Sequence, residues 1–420
     1  MVRKFDIPPI FRGNIISRIK NAQRDGDPRK RELMPTVLDF GPVRFVLARH
    51  FGFCYGVENA IEIAYRTLET HPGERVFLLS EIIHNGTVNQ DLRERGVRFI
   101  FAPNGEQLVS WDDLTTEDAV IVPAFGTTLE LEKELADRNI DPYAYNTTCP
   151  FVEKVWKRST QLGEGDYSVV VHGKATHEET RATFSHSIRS APTVVVLDLD
   201  EANIVADVIR GNAGRDVFDK HFRHKCSEGF DPDVHLTRIG VVNQTTMLAT
   251  ETHQIAAIVR DALADRYGAE NLADHFADTS DTLCYATNEN QNATYALIDH
   301  GANLGIVIGG YNSSNTSHIV ELCQKAMPTY FVQTSSELIS GKTIRHFDLD
   351  KRQVITSKEW LPDSRPLSIV VTCGASCPDA IVDDVLLRVL SFFDATRPLE
   401  EVLSDYPPSE SDDPGDPNDH

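Results

Sequence analysis

The chain holds seven cysteines among 420 residues, and three of them sit in matching surroundings. Cys54 lies in FGFCYGVENAIEIA, Cys149 in YNTTCPFVEKVW and Cys284 in DTLCYATNENQNA. Each stretch reads as a strand end, a tight loop and a helix start, where the helix dipole favours a thiolate. The three are 95 and 135 residues apart, too far for a CxxC staple. One soft metal centre taking one thiolate from each of three lobes accounts for the pattern. Thiolate-only ligation selects an iron–sulfur group, zinc or Cu(I). Structural zinc wants four closed ligands, often in paired spacings, whereas a cluster held by three cysteines keeps one iron open to an oxygen ligand. The remaining cysteines have plainer readings. Cys323 in VELCQKAM and Cys226 in an insertion read as small buried hydrophobes. Cys373 and Cys377 in TCGASCPD have the spacing of a compact metal-binding turn, but read more simply as a strand end and a helix start.

The elements around these cysteines alternate. RFVLAR, RVFLLS, AVIVPAF, SVVVHG, TVVVLD, IGVVNQ, LGIVIGG and SIVVTCG are short apolar runs, the mark of strands buried in a parallel sheet. Helical patterns such as NAIEIAYRTLE, TTLELEKELADR, HQIAAIVRDALAD and DAIVDDVLLRVLSFF follow most of them. The fold class is therefore α/β with parallel sheets. Several strands run into small polar loops, AFGTT, HGKATH, NQTTM, GGYNSSN and TCGASCPD. Such loops are where α/β proteins place their sites, and helix N-termini beside them seat phosphate. The pattern suggests a phosphorylated small molecule. Neither a GxxxxGK[ST] loop nor a GxGxxG fingerprint occurs, which disfavours nucleotide enzymes.

Composition narrows the class further. Hydrophobic residues make up 41% and charged residues 25%, ordinary for a globular protein. No run of ~18 apolar residues predicts a membrane span, and the N-terminus lacks the apolar core of a secretory signal. An odd cysteine count without such a signal points to a reducing, cytoplasmic setting. The net charge is −22, of which residues 400–420 contribute eight acidic groups and no lysine or arginine. A body still near −14 is the opposite of what phosphate backbones require, so nucleic acid is set aside.

At the cysteines and loops the chain resembles a known family. GFCYGVENAI, SEIIHNGTVNQDLRERGV, TTCPFVEKVW, HGKATHEETRAT, NQTTML, TLCYATNENQ, YNSSNTSHI and TCGASCPD occur in that order across residues 44–392. Together they resemble the LytB family of 4-hydroxy-3-methylbut-2-enyl diphosphate reductases. The resemblance implies a trefoil of three α/β lobes with parallel sheets around one central [4Fe–4S] cluster. It places an N-terminal extension at 1–43 and lobes at 44–149, 150–283 and 284–395. The first strand is able to join the third lobe, an insertion lies near 211–238, and residues 396–420 form an acidic disordered tail. The extension reads as an arm packed on the surface.

The resemblance also implies roles. Cys54, Cys149 and Cys284 match the cluster ligands, and the remaining iron takes the substrate's hydroxyl oxygen. His84 and His177 match histidines that contact the diphosphate or the substrate, with protonated His84 or His177 aiding the charge. Thr245 matches a substrate-contacting threonine. Ser313, Ser314, Asn315 and Ser376 match the diphosphate cradle. Glu179 matches the proton donor, and a closed, water-poor pocket favours its neutral form; Glu178 beside it is ~100° away on a helix and cannot share the role. Thr287 matches a threonine that orders the glutamate and nearby water. His50, His172 and His186 fall outside the matched positions and read as structural or solvated. One departure is Phe125, in an AFG segment where many bacterial members have AHG. The AFG and FCYGV segments and the insertion look like the plant and cyanobacterial branch, and leave open how the diphosphate is held on that side. The implied reaction removes the hydroxyl of an allylic diphosphate, with electrons from ferredoxin or a flavodoxin-type carrier. Lys154, Lys157 and Arg158, or the basic arm at 18–31, are candidates for docking such an acidic carrier. The rival readings are a non-redox α/β enzyme acting on a phosphorylated metabolite and an iron–sulfur redox sensor.

Overall fold

The computed structural model describes residues 5–27, 31–279 and 282–408. Strands form where consecutive residues are apolar, because a strand covered on both faces has no solvent side to mark with polar alternation. Ser168–His172, Ile239–Asn243 and Leu304–Ile308 are buried at every position. The eight runs marked in the sequence all form strands, and the fold is mixed α/β with parallel pairing at the centre of each sheet.

The chain divides into two compact units. The first draws its described residues from Met1–Cys54, His84–Gly86 and Glu289–His420. Its sheet has eight strands, in the order Thr36–Asp39, Val43–Leu47, Leu367–Cys373, Leu304–Ile308, Thr329–Val332, Thr343–Asp348 and Leu338–Ser340, with Gln353–Lys358 paired to Thr343–Asp348. The four strands from Val43–Leu47 to Thr329–Val332 are parallel. Leu47 pairs with Val371 and Ile308 with Cys373, so the loops at 48–54, 309–313 and 374–378 leave one edge of the sheet together. The first strand of the expected first lobe thus belongs to this sheet.

The second unit comprises Tyr55–Ile83 and Thr87–Asn288 and holds two four-stranded sheets. One runs Arg98–Phe99, Val76–Leu78, Ala119–Val122, Tyr145–Asn146, and the other Phe276–Ala277, Ile239–Asn243, Ser168–His172, Thr193–Val196. Every pairing in both is parallel. The insertion at 211–238 folds onto the second sheet's core through Phe218, Phe222 and Phe230.

Two expectations need correction. Within the segment at 1–43, the Asn14–Gly26 helix is not a surface arm: it sinks Ile15, Ile16 and Ile19 into the first unit's core. Asp383 accepts the Ile15 and Ile16 N–H groups at 2.8 and 3.0 Å, satisfying donors that a helix start leaves open. The acidic tail also starts later than 396. Leu399–Val402 is helical, Leu403 is fully buried, and Arg18 binds both Glu400 oxygens and the carbonyls of Leu403 and Tyr406. Apolar Leu399, Val402, Leu403 and Tyr406 anchor a stretch whose composition is acidic. Residues 409–420 of the expected tail lie outside the described residues. Among the described residues no helix is long and apolar enough to cross a membrane.

Candidate active site

Each of the three matched cysteines stands immediately before a helix: Cys54 before Tyr55–Thr70, Cys149 before Pro150–Glu164, Cys284 before Tyr285–His300. None of the three is part of a disulfide. Pro150 costs nothing at the first helical position, whose N–H has no helical partner anyway. The Cys149 side chain makes no capping bond. Its sulfur lies instead over Gly56, in the first turn of the helix that Cys54 precedes; a Cβ on Gly56 would stand 2.5 Å from Sγ. Phe151 and Tyr285 meet edge to face at 4.9 Å, which brings the helix starts behind Cys149 and Cys284 together. The Cys284 sulfur accepts the N–H groups of Ala286 and Thr287 and the Thr287 hydroxyl. Burial pushes this thiol's pKa up, those donors oppose the shift, and the nearby Glu179 adds to it. A coordinated metal displaces such a proton. Half-buried or buried thiols at three helix N-termini suit a negatively charged cluster. Among the described residues no three His, Cys, Asp or Glu side chains converge on a single metal ion.

Glu179 lies in the same unit, 3% exposed, in the first turn of the Glu178–Ile188 helix. Its Oε1 accepts the Thr245 N–H at 2.5 Å. Glu178 is half-buried and lines a separate cleft with Thr128, Arg181 and Phe184, so the structure separates the two carboxylates as helix geometry requires. His177 caps this helix, its Nδ1 accepting the Glu179 N–H at 3.2 Å. The Thr287 hydroxyl donates to the Cys284 sulfur.

Residues not singled out in the sequence hold this group in place. Gln244 Oε1 accepts the Thr180 hydroxyl at 2.8 Å and the Lys174 N–H at 3.3 Å. Asn243 Oδ1 accepts the Thr282 hydroxyl at 2.8 Å, tying the loop before Cys284 to the Gln244 loop. Gly173 leaves room for this join, since a Cβ there would stand 2.6 Å from Thr180 Oγ1. His172 is fully buried against Thr252, and His186 stacks on Trp156, so both are structural. Phe125 is buried. On the Pro150–Glu164 helix, Lys157 faces Glu153 at 4.0 Å and Arg158 donates to the Asp278 carbonyl. Arg18, in the other docking candidate, is 4% exposed and committed to Glu400.

The first unit holds the remaining candidates at its sheet edge. Ser313 caps the Ser314–Gln324 helix, accepting the Thr316 N–H. Asn315 Oδ1 accepts the Ala375 N–H at 3.0 Å, joining the 309–313 and 374–378 loops. Its Nδ2 is buried with no hydrogen-bond partner, a donor turned to nothing in the protein. Ser314 is half-buried, and Ser376 donates to the His84 carbonyl at 3.1 Å. Asn312, another residue unmarked by the sequence, contacts His84 Nδ1 at 3.2 Å, and Gly310 passes so near His84 that a Cβ would stand 2.3 Å from its carbonyl oxygen. Hydroxyls, an amide and an imidazole beside a helix N-terminus are groups suited to an anion.

A family model described as LytB protein matches residues 45–390. The chain belongs to the LytB family. Among LytB relatives it is 40% identical over 355 residues to the 4-hydroxy-3-methylbut-2-enyl diphosphate reductase of Synechococcus sp. (strain WH7803), covering 84% of this chain and 86% of that one. It is 40% identical over 352 residues to the reductase of the same name from Gloeobacter violaceus, covering 83% of each. The structure is similar to that of the E-1-hydroxy-2-methyl-but-2-enyl-4-diphosphate reductase from Plasmodium falciparum, with a TM-score of 0.58 at 20% identity, covering 84% of this chain and 88% of that one.

Proposed function

We propose that this LytB chain reduces (E)-4-hydroxy-3-methylbut-2-enyl diphosphate, removing its hydroxyl as water with two electrons and two protons. The products are isopentenyl and dimethylallyl diphosphate, the last step of the methylerythritol phosphate route to isoprenoids. The observation that carries this reading is the placement of Cys54, Cys149 and Cys284 at three helix starts, in a chain aligned over 84% of its length with a named reductase.

In this reading the three α/β lobes form a trefoil around one [4Fe–4S] cluster, with Cys54, Cys149 and Cys284 as its protein ligands. A bound cluster supplies electrons and a Lewis-acidic iron. Glu179 donates the proton that lets the hydroxyl leave as water. Its Oε1 accepts the Thr245 N–H, which orients the carboxyl. The imidazole N–H groups of His84 and His177 and the Thr245 hydroxyl orient the substrate. Ser313, Ser314, Asn315 and Ser376 hold the diphosphate, with the Asn315 amide donating to it. Thr287 steadies the Cys284 sulfur. Neutral donors hold the charge, so no lysine or arginine is needed at the reacting end. Electrons come from ferredoxin or a flavodoxin-type carrier, and the protein works in the cytoplasm.

Anaerobic turnover of the allylic diphosphate with a chemical reductant tests the reading. Formation of the two five-carbon diphosphates supports it. A cluster-bearing protein with no turnover favours the redox sensor, and an iron-free folded protein favours the non-redox enzyme.

A further inference from the structure

We propose that Lys20 and Asp379 are positioning residues for Cys54, acting through the turn at Gly52. The proposal rests on the reading of Cys54 as a cluster ligand. Cys54 is half-buried at the end of a loop, 48–54, with no regular structure of its own, so packing must set its position. Three contacts in the first unit do so. The Cys54 N–H donates to the Ala375 carbonyl at 3.2 Å, the Phe53 ring meets Phe11 edge to face at 6.3 Å, and Lys20 Nζ lies 4.6 Å from the centre of the Phe51 ring.

The Lys20 ammonium also binds Asp379 Oδ1 at 2.6 Å, with both side chains largely covered. This ion pair sits on Gly52. A Cβ there would stand 2.6 Å from Lys20 Nζ and 2.7 Å from Asp379 Oδ1, and φ is +81°. Only glycine meets both demands. Asp379 opens the Asp379–Leu390 helix, which follows the 374–378 loop carrying Ser376 and the Ala375 carbonyl. One ion pair therefore clamps the turn two residues before Cys54 against the helix that backs the diphosphate cradle. The cation comes from the N-terminal helix, outside the segment matched by the family model.

The test uses the full chain with Lys20→Met and Asp379→Asn, and Arg24→Met as a control on the same helix, where Arg24 bonds Asn21. In metal-free protein, alkylation mapped by mass spectrometry should speed up about fivefold at Cys54 in both variants, the scale of a lost, partly covered ion pair, while Cys149 and Cys284 keep their wild-type rates. In cluster-loaded protein the same variants should bleach in air about tenfold faster and shift the electron paramagnetic resonance signal, with Arg24→Met matching wild type in both assays. Equal acceleration at all three cysteines would mean a general loss of fold and would overturn the proposal, as would wild-type rates at Cys54. A wild-type chain that takes up no iron sinks the functional reading instead, and the alkylation result still decides whether the clamp holds the loop.

Discussion

Thr245 donates its backbone N–H to Glu179 Oε1 at 2.5 Å. The loop after Ile239–Asn243 thereby fixes a carboxyl at the start of the helix after the adjacent parallel strand, Ser168–His172. The contact orients the Glu179 carboxyl and commits one of its oxygens to the protein.

Glu179→Gln keeps that acceptor and removes the acid. Turnover with a chemical reductant should fall by about 10²–10⁴-fold, while iron content and the cluster's spectrum stay unchanged. A wild-type rate would remove Glu179 from the proton-transfer step.

Gly56→Ala places a methyl group 2.5 Å from the resting position of Cys149 Sγ. Overpacking of this kind costs about 1–3 kcal/mol. The iron retained per chain after anaerobic purification should drop severalfold, with secondary structure intact by circular dichroism. Full iron content would show that the Cys149 sulfur has another seat.

Asn315→Asp keeps the acceptor for the Ala375 N–H and exchanges the buried Nδ2 donor for a second anionic oxygen. Steady-state kinetics should show KM for the allylic diphosphate rising about tenfold or more, since a lost donor to a charged group costs about 1.5–3 kcal/mol, with the cluster spectrum unmoved. An unaltered KM would exclude Asn315 from the diphosphate seat.

The carboxyl of Asp383 predicts a pH dependence. Burial raises its pKa to about 6, against the pull of the Ile15 and Ile16 N–H groups. The folded value exceeds the unfolded one, so the native chain holds the extra proton between pH ~4 and ~6. Its contribution is full below pH ~4 and is lost as pH rises through about 6, to a limit on the order of 3 kcal/mol. In urea titrations of metal-free protein, wild type should lose stability over this interval relative to Asp383→Asn. Parallel profiles would contradict the assignment.

Much of this was legible in the chain itself. The parallel strands announce themselves because they are apolar throughout, and the cysteine settings betray their helix starts through Pro150 and the polar turns beside them. The Thr343–Asp348 and Gln353–Lys358 hairpin escapes such a reading, because one strand is mostly half-buried, the other mostly exposed, and both are rich in polar residues. The Asn14–Gly26 helix is equally opaque: its basic residues suggest a surface, and the isoleucine stripe finds its partner near the far end of the chain, at Asp383 and Leu386. Motif order brings out Glu179 and Asn315, but not Asn243, Gln244 or Thr180, whose hydrogen bonds join loops far apart in sequence. Nor does it show that Thr287 serves a sulfur or that His177 spends Nδ1 on a helix cap.

The most direct measurement is iron and acid-labile sulfide per chain in anaerobically prepared protein, for wild type and for Cys→Ser at 54, 149, 284, 373 and 377. About four of each per wild-type chain, with loss on changing Cys54, Cys149 or Cys284 and retention on changing Cys373 or Cys377, is the predicted outcome. A folded, colourless wild type without iron, or iron that depends on Cys373 and Cys377 instead, would contradict the account.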